Sequence, residues 1–445
     1  MRKPNVILIN CDDLGYGDLA CYGSKVNKTP FLDSLCEEGM KFTSCYTGAP
    51  TCTPSRAALL TGSFPTRTGL THVIFPGSNE GLNDDEYTLG HMFHDAGYKT
   101  MIVGKWHVGD QKEFLPTNRG FDSYFGLPYS NDMGMQKNSY FKLPPLPLMS
   151  EDQVIEEQPD QTSLTERYVE KCTTFIRENK DRPFFLYFAQ MHVHLPLYAN
   201  ERFVKNSENG DFGACVEELD WACSCLAYEL KKQGIYEDTI ILFTSDNGSR
   251  GDHGASNYPL RGGKFSTFEG GLRVPLIASW PNHIKGGSVN DNIFCQVDIM
   301  ATLSTICGCH LSNNKIDSID QSETFFDPSI SKRDYMLYYD RENFDAYREN
   351  EWKLKIKEQE KDCLMLFNLK EDIGESHDVS KEHPDIVNYL KEKAAYYQNE
   401  LGDKLLNIKG KGVRQVGWVD NPTTLTYYDE NHPYIVALYD KDDQG

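Results

Sequence analysis

The feature that most narrows the fold is a set of short runs, apolar along nearly their whole length, recurring between amphipathic stretches. Residues 4–10 read Pro-Asn-Val-Ile-Leu-Ile-Asn, 183–189 read Pro-Phe-Phe-Leu-Tyr-Phe-Ala, and 239–244 read Thr-Ile-Ile-Leu-Phe-Thr, with a shorter run over 100–103. A strand with one face in water alternates polar and apolar residues, so these runs predict strands covered on both faces. Helical periodicity fills the intervals 88–96, 161–179 and 214–233. Thr29-Pro30 opens a further helix to about residue 38, with a capping residue followed by proline in the first turn. Such alternation predicts an α/β fold: a mostly parallel sheet sandwiched by helices. In sheets of this kind ligands bind beyond the carboxyl ends of the strands.

From about residue 330 the texture changes. Residues 335–339, 352–357 and 363–369 alternate like antiparallel strands, and 381–401 form a charged amphipathic helix. The expected organisation is a domain over 1–330 and a smaller α+β domain over 331–445 containing an antiparallel sheet. The latter ends in an aromatic tail, 405–445, with no clear period. The chain contains no internal repeat and no low-complexity linker.

A formal charge of −21 makes nucleic acid or an anionic membrane an unsuitable partner. If the substrate is an anion, positive charge must be concentrated in the site against that field. The apolar run at 6–9 is too short for a signal peptide, and no run approaches a membrane span. Thirteen cysteines, an odd number without framework spacing, predict reduced thiols and a cytoplasmic protein. Cys223 with Cys225, and Cys307 with Cys309, lack a second pair at zinc-site spacing and read as small core residues.

The chemistry is concentrated at strand ends. The first strand runs into Asn10-Cys11-Asp12-Asp13, and the strand at 239–244 runs into Ser245-Asp246-Asn247-Gly248. Singly, these read as a helix cap and a turn. Together, at equivalent strand ends, three carboxylates and an amide form an oxygen-only donor set suited to calcium or magnesium rather than zinc. A third element, Cys52-Thr53-Pro54-Ser55-Arg56-Ala57-Ala58-Leu59-Leu60-Thr61-Gly62, places Cys52 at a helix N-terminus, where free N–H groups and the helix dipole stabilise an anion. Arg56 lies one turn later on the same face.

This string resembles the signature of the formylglycine-dependent sulfatases of the alkaline-phosphatase superfamily, in particular the arylsulfatase A and N-acetylgalactosamine-6-sulfatase branch. Further matching stretches are Gly104-Lys105-Trp106-His107-Val108-Gly109, Arg119-Gly120-Phe121-Asp122, Leu127-Pro128-Tyr129-Ser130 and Arg261-Gly262-Gly263-Lys264 ahead of Glu269-Gly270-Gly271. The resemblance spans residues 4 to about 390 and implies an alkaline-phosphatase-like sheet. It implies that Cys52 is oxidised to formylglycine by a maturation enzyme, and that Asp12, Asp13, Asp246 and Asn247, with the residue at 52, hold calcium. One hydroxyl of the hydrated aldehyde would attack sulfur. His194 would protonate the leaving alcohol, and His107 would then deprotonate the second hydroxyl to expel sulfate. Lys105 and Lys264 would bind sulfate oxygens, Arg56 would anchor the hydrated aldehyde, and Ser130 would donate a further hydrogen bond. Cys11 departs from the family pattern, where a small or acidic residue is expected, but leaves both flanking ligands in place.

This division of roles is chemically coherent. Sulfate spreads its charge over three oxygens, so a cation and two lysines offset repulsion as a nucleophile approaches. An alkoxide is a poor leaving group and needs a positioned acid, and imidazole titrates in the right range. His192 shares a strand face with His194, so spacing does not exclude it, but it is the weaker candidate and reads equally as packing beside the site. Arg250, Asp252, His253, Asn131 and Asp132 read equally well as sugar contacts or as surface loop. The expected substrate is a sulfated small molecule or oligosaccharide, with a 6-sulfated N-acetylhexosamine preferred. The rivals are an arylsulfatase, a phosphonate or phosphate ester hydrolase of the same superfamily, and a non-catalytic sulfoglycan-binding protein. The oligomeric state is not legible in the sequence.

Overall fold

A computed structural model describes residues 3–136 and 142–434. Five parallel strands form the centre of an eleven-stranded sheet, in the order Thr239–Ser245, Asn5–Cys11, Phe184–Ala189, Lys99–Gly104 and Ser123–Gly126. Antiparallel strands extend both edges: Arg273–Ser279 and Met40–Tyr46 on one side, Pro147–Ser150 and Gln153–Glu157 on the other.

The central strand shows why an uninterrupted apolar run was needed. Successive side chains point to opposite faces. Ile7 and Ile9 pack with Leu186, Phe188, Leu219 and Leu226 on one face, while Val6 and Leu8 pack with Phe185, Tyr187, Leu242, Leu59 and Leu60 on the other. The helices Pro30–Glu38, Leu164–Glu178 and Gly210–Gln233 cover the first face; Cys52–Thr61, Leu89–Asp95 and Asp298–Cys307 cover the second. Each buried Leu or Ile contributes roughly 1.5–3 kcal/mol, so a polar residue at any of these positions would be costly.

The second sheet is an antiparallel meander of Tyr335–Asp340, Asn343–Glu349, Trp352–Glu358 and Lys361–Asn368, with the helix Pro384–Leu401 packed on it. Its core is continuous with Tyr46, Ala58 and Leu272 of the large sheet region. The strand Asn343–Glu349 has no counterpart in the sequence reading. It carries Asp345 and Arg348 facing inward, where Thr267 donates to Asp345 and Arg348 meets Tyr46 and Glu269, so its burial is not visible as apolar periodicity. Beyond Leu401 the chain runs back over the region of the large sheet and forms a separate two-stranded sheet there. Gly417–Trp418 pairs with Glu80–Gly81, and Thr426 donates to the Pro145 carbonyl. The last part of the predicted aromatic tail, 435–445, lies outside the described residues.

Among the described residues no helix is long and apolar enough to cross a membrane. All thirteen cysteines are free thiols.

Candidate active site

Because the five central strands are parallel, their carboxyl ends open onto one edge. The register places Cys11 beside Ser245, Asn10 beside Ala189, and Ala189 beside Gly104. Asp12-Asp13, Asp246-Asn247, the 190–194 turn and Lys105 therefore emerge within about one residue of each other. Gly104 is required for this approach: its φ is +112°, and a Cβ there would lie 1.9 Å from the Ala189 carbonyl oxygen.

Cys52 is the first residue of its helix, follows Thr51 in extended conformation and is only 2 % exposed. Burial raises the thiol's pKa against the lowering effect of Lys105 and Lys264, so an unmodified Cys52 is a protonated, weak nucleophile. Arg56, one turn on, reaches across the acids rather than into solvent. Its Nε donates to Asp246 Oδ2 at 2.9 Å, one terminal nitrogen lies 2.8 Å from the same oxygen as an ion-pair contact, the other donates to the Lys105 carbonyl at 2.9 Å, and Asp12 lies 3.6 Å away. Lys105 Nζ sits 2.6 Å from Asp12 Oδ2 and donates to Ser130 Oγ at 3.0 Å. Lys264 Nζ sits 2.8 Å from Asp13 Oδ2 and donates to His194 Nε2 at 3.0 Å. Asn247 Nδ2 donates to Asp13 Oδ1 at 2.6 Å.

All eleven residues singled out above are thus buried at this edge. Cys52, Ser130, His194 and Lys264 line a cleft of about 1050 Å³; Arg56, Lys105, His107 and the acids form the layer beneath it. Against the overall −21, three cationic groups are concentrated here, but Arg56, Lys105 and Lys264 are matched one for one by Asp12, Asp13 and Asp246.

The carboxylates are held in unequal states. Burial works to raise Asp12, but Lys105, His194, Arg56 and Lys264 more than offset it and hold the group well below the usual range. At Asp246, burial and the neighbouring Asp12 charge win over Arg56 and push the carboxyl up to about 7. Asp12, Asp13 and His194 each bring a potential ligand atom within 4.8 Å of the others. Asp12 Oδ1 and Asn247 Oδ1 are buried without a hydrogen-bond partner among the described residues. Orphaned oxygens between mutually repelling carboxylates fit a hard divalent cation, which would satisfy both and turn a balanced site positive.

Both candidate histidines are pushed toward neutrality, first by burial and then by a lysine: Lys105 for His107, Lys264 for His194. His107 Nε2 lies 3.0 Å from the Ile74 carbonyl, which makes it the protonated nitrogen. The buried Nδ1, without a partner among the described residues, is then a free lone pair. His194 Nδ1 faces the Leu195 carbonyl at 2.5 Å and Asn131 Oδ1 at 3.1 Å, so its Nε2 accepts from Lys264. Asn131, equally readable as surface loop from sequence, is an orienting partner of His194 and is itself fixed by Gln161 and the Pro196 carbonyl. His192 turns the other way. Its Nε2 lies 3.3 Å from Glu218 on the Gly210–Gln233 helix; although burial opposes the charge, Cys215 and Glu218 push the imidazole up to about 10. Arg250 and His253 pair with Asp252 in a loop on the far side of Asp13.

The family described as Sulfatase matches residues 4–309. Human arylsulfatase A is 38% identical over 359 residues, covering 76% of this chain and 71% of that protein. Rat (Rattus norvegicus) N-acetylgalactosamine-6-sulfatase is 36% identical, covering 76% and 68%. Among solved structures, Ps i-CgsB in complex with k-i-k-neocarrahexaose superposes with a TM-score of 0.81 at 31% identity, covering 89% of this chain and 93% of that one. The strand-end acids, the buried Cys52 helix and this extent of similarity lead to one conclusion: the chain belongs to the sulfatase family, whose members are sulfuric ester hydrolases.

Proposed function

We propose that the protein removes sulfate from sulfated carbohydrates, with 6-sulfated N-acetylhexosamine the preferred type. In this reading a formylglycine made from Cys52 is the nucleophile. A divalent cation, calcium ahead of magnesium, is held by Asp12, Asp13, Asp246 and Asn247 beside residue 52. The observation that carries the proposal is the placement of Cys52 at the floor of a cleft, against two buried ammonium groups and two orphaned acid and amide oxygens. The relatives' names support the substrate class, since they include an N-acetylgalactosamine-6-sulfatase and a structure bound to neocarrahexaose.

When present, the cation supplies a Lewis acid for sulfate oxygens and the hydrated aldehyde supplies a nucleophilic hydroxyl. The chain's own residues do the rest. Lys105 and Lys264, already desolvated and oriented by Asp12 and Asp13, bind sulfate oxygens, and Ser130 Oγ adds a hydroxyl beside Lys105. The proton for the leaving alcohol lies at the Lys264 Nζ–His194 Nε2 contact, with Asn131 fixing the imidazole's orientation. His107 presents Nδ1 as a base, its tautomer set by the Ile74 carbonyl. Arg56 locks Asp246 and the Lys105 backbone into one unit. With Cys52 only 2 % exposed, a maturation enzyme has to reach it before the chain closes.

The test is sulfate release from a panel of sulfated monosaccharides by protein whose Cys52 peptide carries the aldehyde by mass spectrometry. Turnover of 4-nitrophenyl phosphate exceeding that of 4-nitrophenyl sulfate would overturn the assignment in favour of a phosphate ester hydrolase.

A further inference from the structure

One residue at the mouth of the cleft combines a strained backbone with an exposed aromatic ring. Phe265, next to Lys264, has a φ of +70°, a left-handed conformation that bulky side chains avoid, and its ring is 58 % exposed. The conformation is enforced from both sides. Phe265 N–H donates to the Pro50 carbonyl at 3.0 Å, two residues before Cys52, and Lys264 N–H donates to the Ser249 carbonyl at 2.9 Å, two residues after Asn247. Glycine or asparagine would adopt this backbone more readily. The ring gains little burial in return, since the residue stays 58 % exposed. What the arrangement achieves is position. The ring lines the cleft with Cys52 and His194, 5.3 Å from Lys264 Nζ. Strain retained without a packing benefit points to function.

We infer that Phe265 is the platform on which the sugar ring of the leaving group stacks, making it a specificity-determining residue. The inference rests on the sulfated-carbohydrate reading above. A pyranose has one face of C–H bonds that suits the negative face of an aromatic ring, and its hydroxyls remain free for polar groups. In the same cleft, Arg341, Gln359 and Lys404 supply such groups from the first and third hairpin turns of the second sheet and the segment after its helix. A sulfate held by Lys105 and Lys264 leaves its ester oxygen near His194 and the attached sugar against the ring of Phe265.

The test uses the matured full-length protein with hexose and N-acetylhexosamine mono-sulfates, 4-nitrophenyl sulfate, and inorganic sulfate as a competitive inhibitor. Stacking is remote from the breaking S–O bond and is made equally in ground and transition states, so its loss acts on KM. Phe265→Ala should raise KM for the best sugar sulfate about tenfold with kcat nearly unchanged. Phe265→Tyr should keep the wild-type KM, and inhibition by inorganic sulfate should be equal in all three proteins. An unchanged KM in Phe265→Ala, a loss confined to kcat, or a parallel weakening of sulfate inhibition overturns the inference. If the wild type cleaves 4-nitrophenyl sulfate but no sugar sulfate, the sugar platform falls while sulfatase activity stands. If it cleaves neither, both readings fall.

Discussion

Replacing Lys264 by methionine isolates one ammonium group. The substitution keeps an unbranched side chain of similar length and removes the charge, so the main change is electrostatic. Lys264 is 8 % exposed and its Nζ is committed to Asp13 at 2.8 Å and His194 at 3.0 Å, which places the charge out of water and already oriented. Removing one such preorganised donor to a developing oxyanion costs about 10²–10³ in rate, or roughly 2.7–4 kcal/mol. The fold should lose less, because Asp13 keeps the Asn247 amide at 2.6 Å; about 3 kcal/mol, the lower end for stranding one partner of a buried pair, is the expected cost. The assay is sulfate release by the matured variant, with inhibition by inorganic sulfate measured in parallel and folding checked by circular dichroism. The value of kcat/KM should fall by about two to three orders of magnitude, and sulfate inhibition should weaken. A folded Lys264→Met protein within tenfold of wild type would refute the placement of Lys264 over the sulfate.

Three further outcomes follow from other parts of the molecule. Chelation should abolish turnover and lower the thermal midpoint. Calcium should restore both, and zinc neither, because the orphaned Asp12 and Asn247 oxygens form a hard donor set. Arg333→Ala should destabilise by about 3–5 kcal/mol in denaturant unfolding without changing KM, because Asp298 would be left charged and buried after losing bonds of 2.7 and 2.6 Å. At Glu269, burial works to raise the carboxyl, but Lys353, Arg348 and Arg273 hold it down to about 2. A depressed folded value stabilises above the unfolded value of about 4.3, and that stability is lost as pH falls toward 2. The thermal midpoint should therefore drop through this window, and Glu269→Gln should flatten the drop.

What was legible in the sequence follows from how each feature is encoded. The strands Asn5–Cys11, Phe184–Ala189 and Thr239–Ser245 could be read because burial on both faces leaves an uninterrupted apolar run. Met40–Tyr46 and Asn343–Glu349 could not, since lysine, threonine, aspartate and arginine interrupt them and are accommodated only by partners far away in the chain. At the site, Cys52, the acids and the lysines announce themselves as short strings at strand ends. Their pairings are tertiary facts: Arg56 with Asp246, Lys264 with Asp13, and Asn131 behind His194 join residues at least 63 positions apart. The divergence of His192 from His194 is of the same kind. Two residues spaced alike on a strand would share a face, but here they lie on a turn, and Glu218 draws one of them away.

The central claim is that the side chain at position 52, once oxidised, is the attacking group. The most direct measurement compares sulfate release by protein carrying the aldehyde at residue 52 with that of a Cys52→Ala variant produced alongside it. Turnover should track the aldehyde content and vanish in Cys52→Ala. Equal sulfate release by the two proteins would contradict the claim.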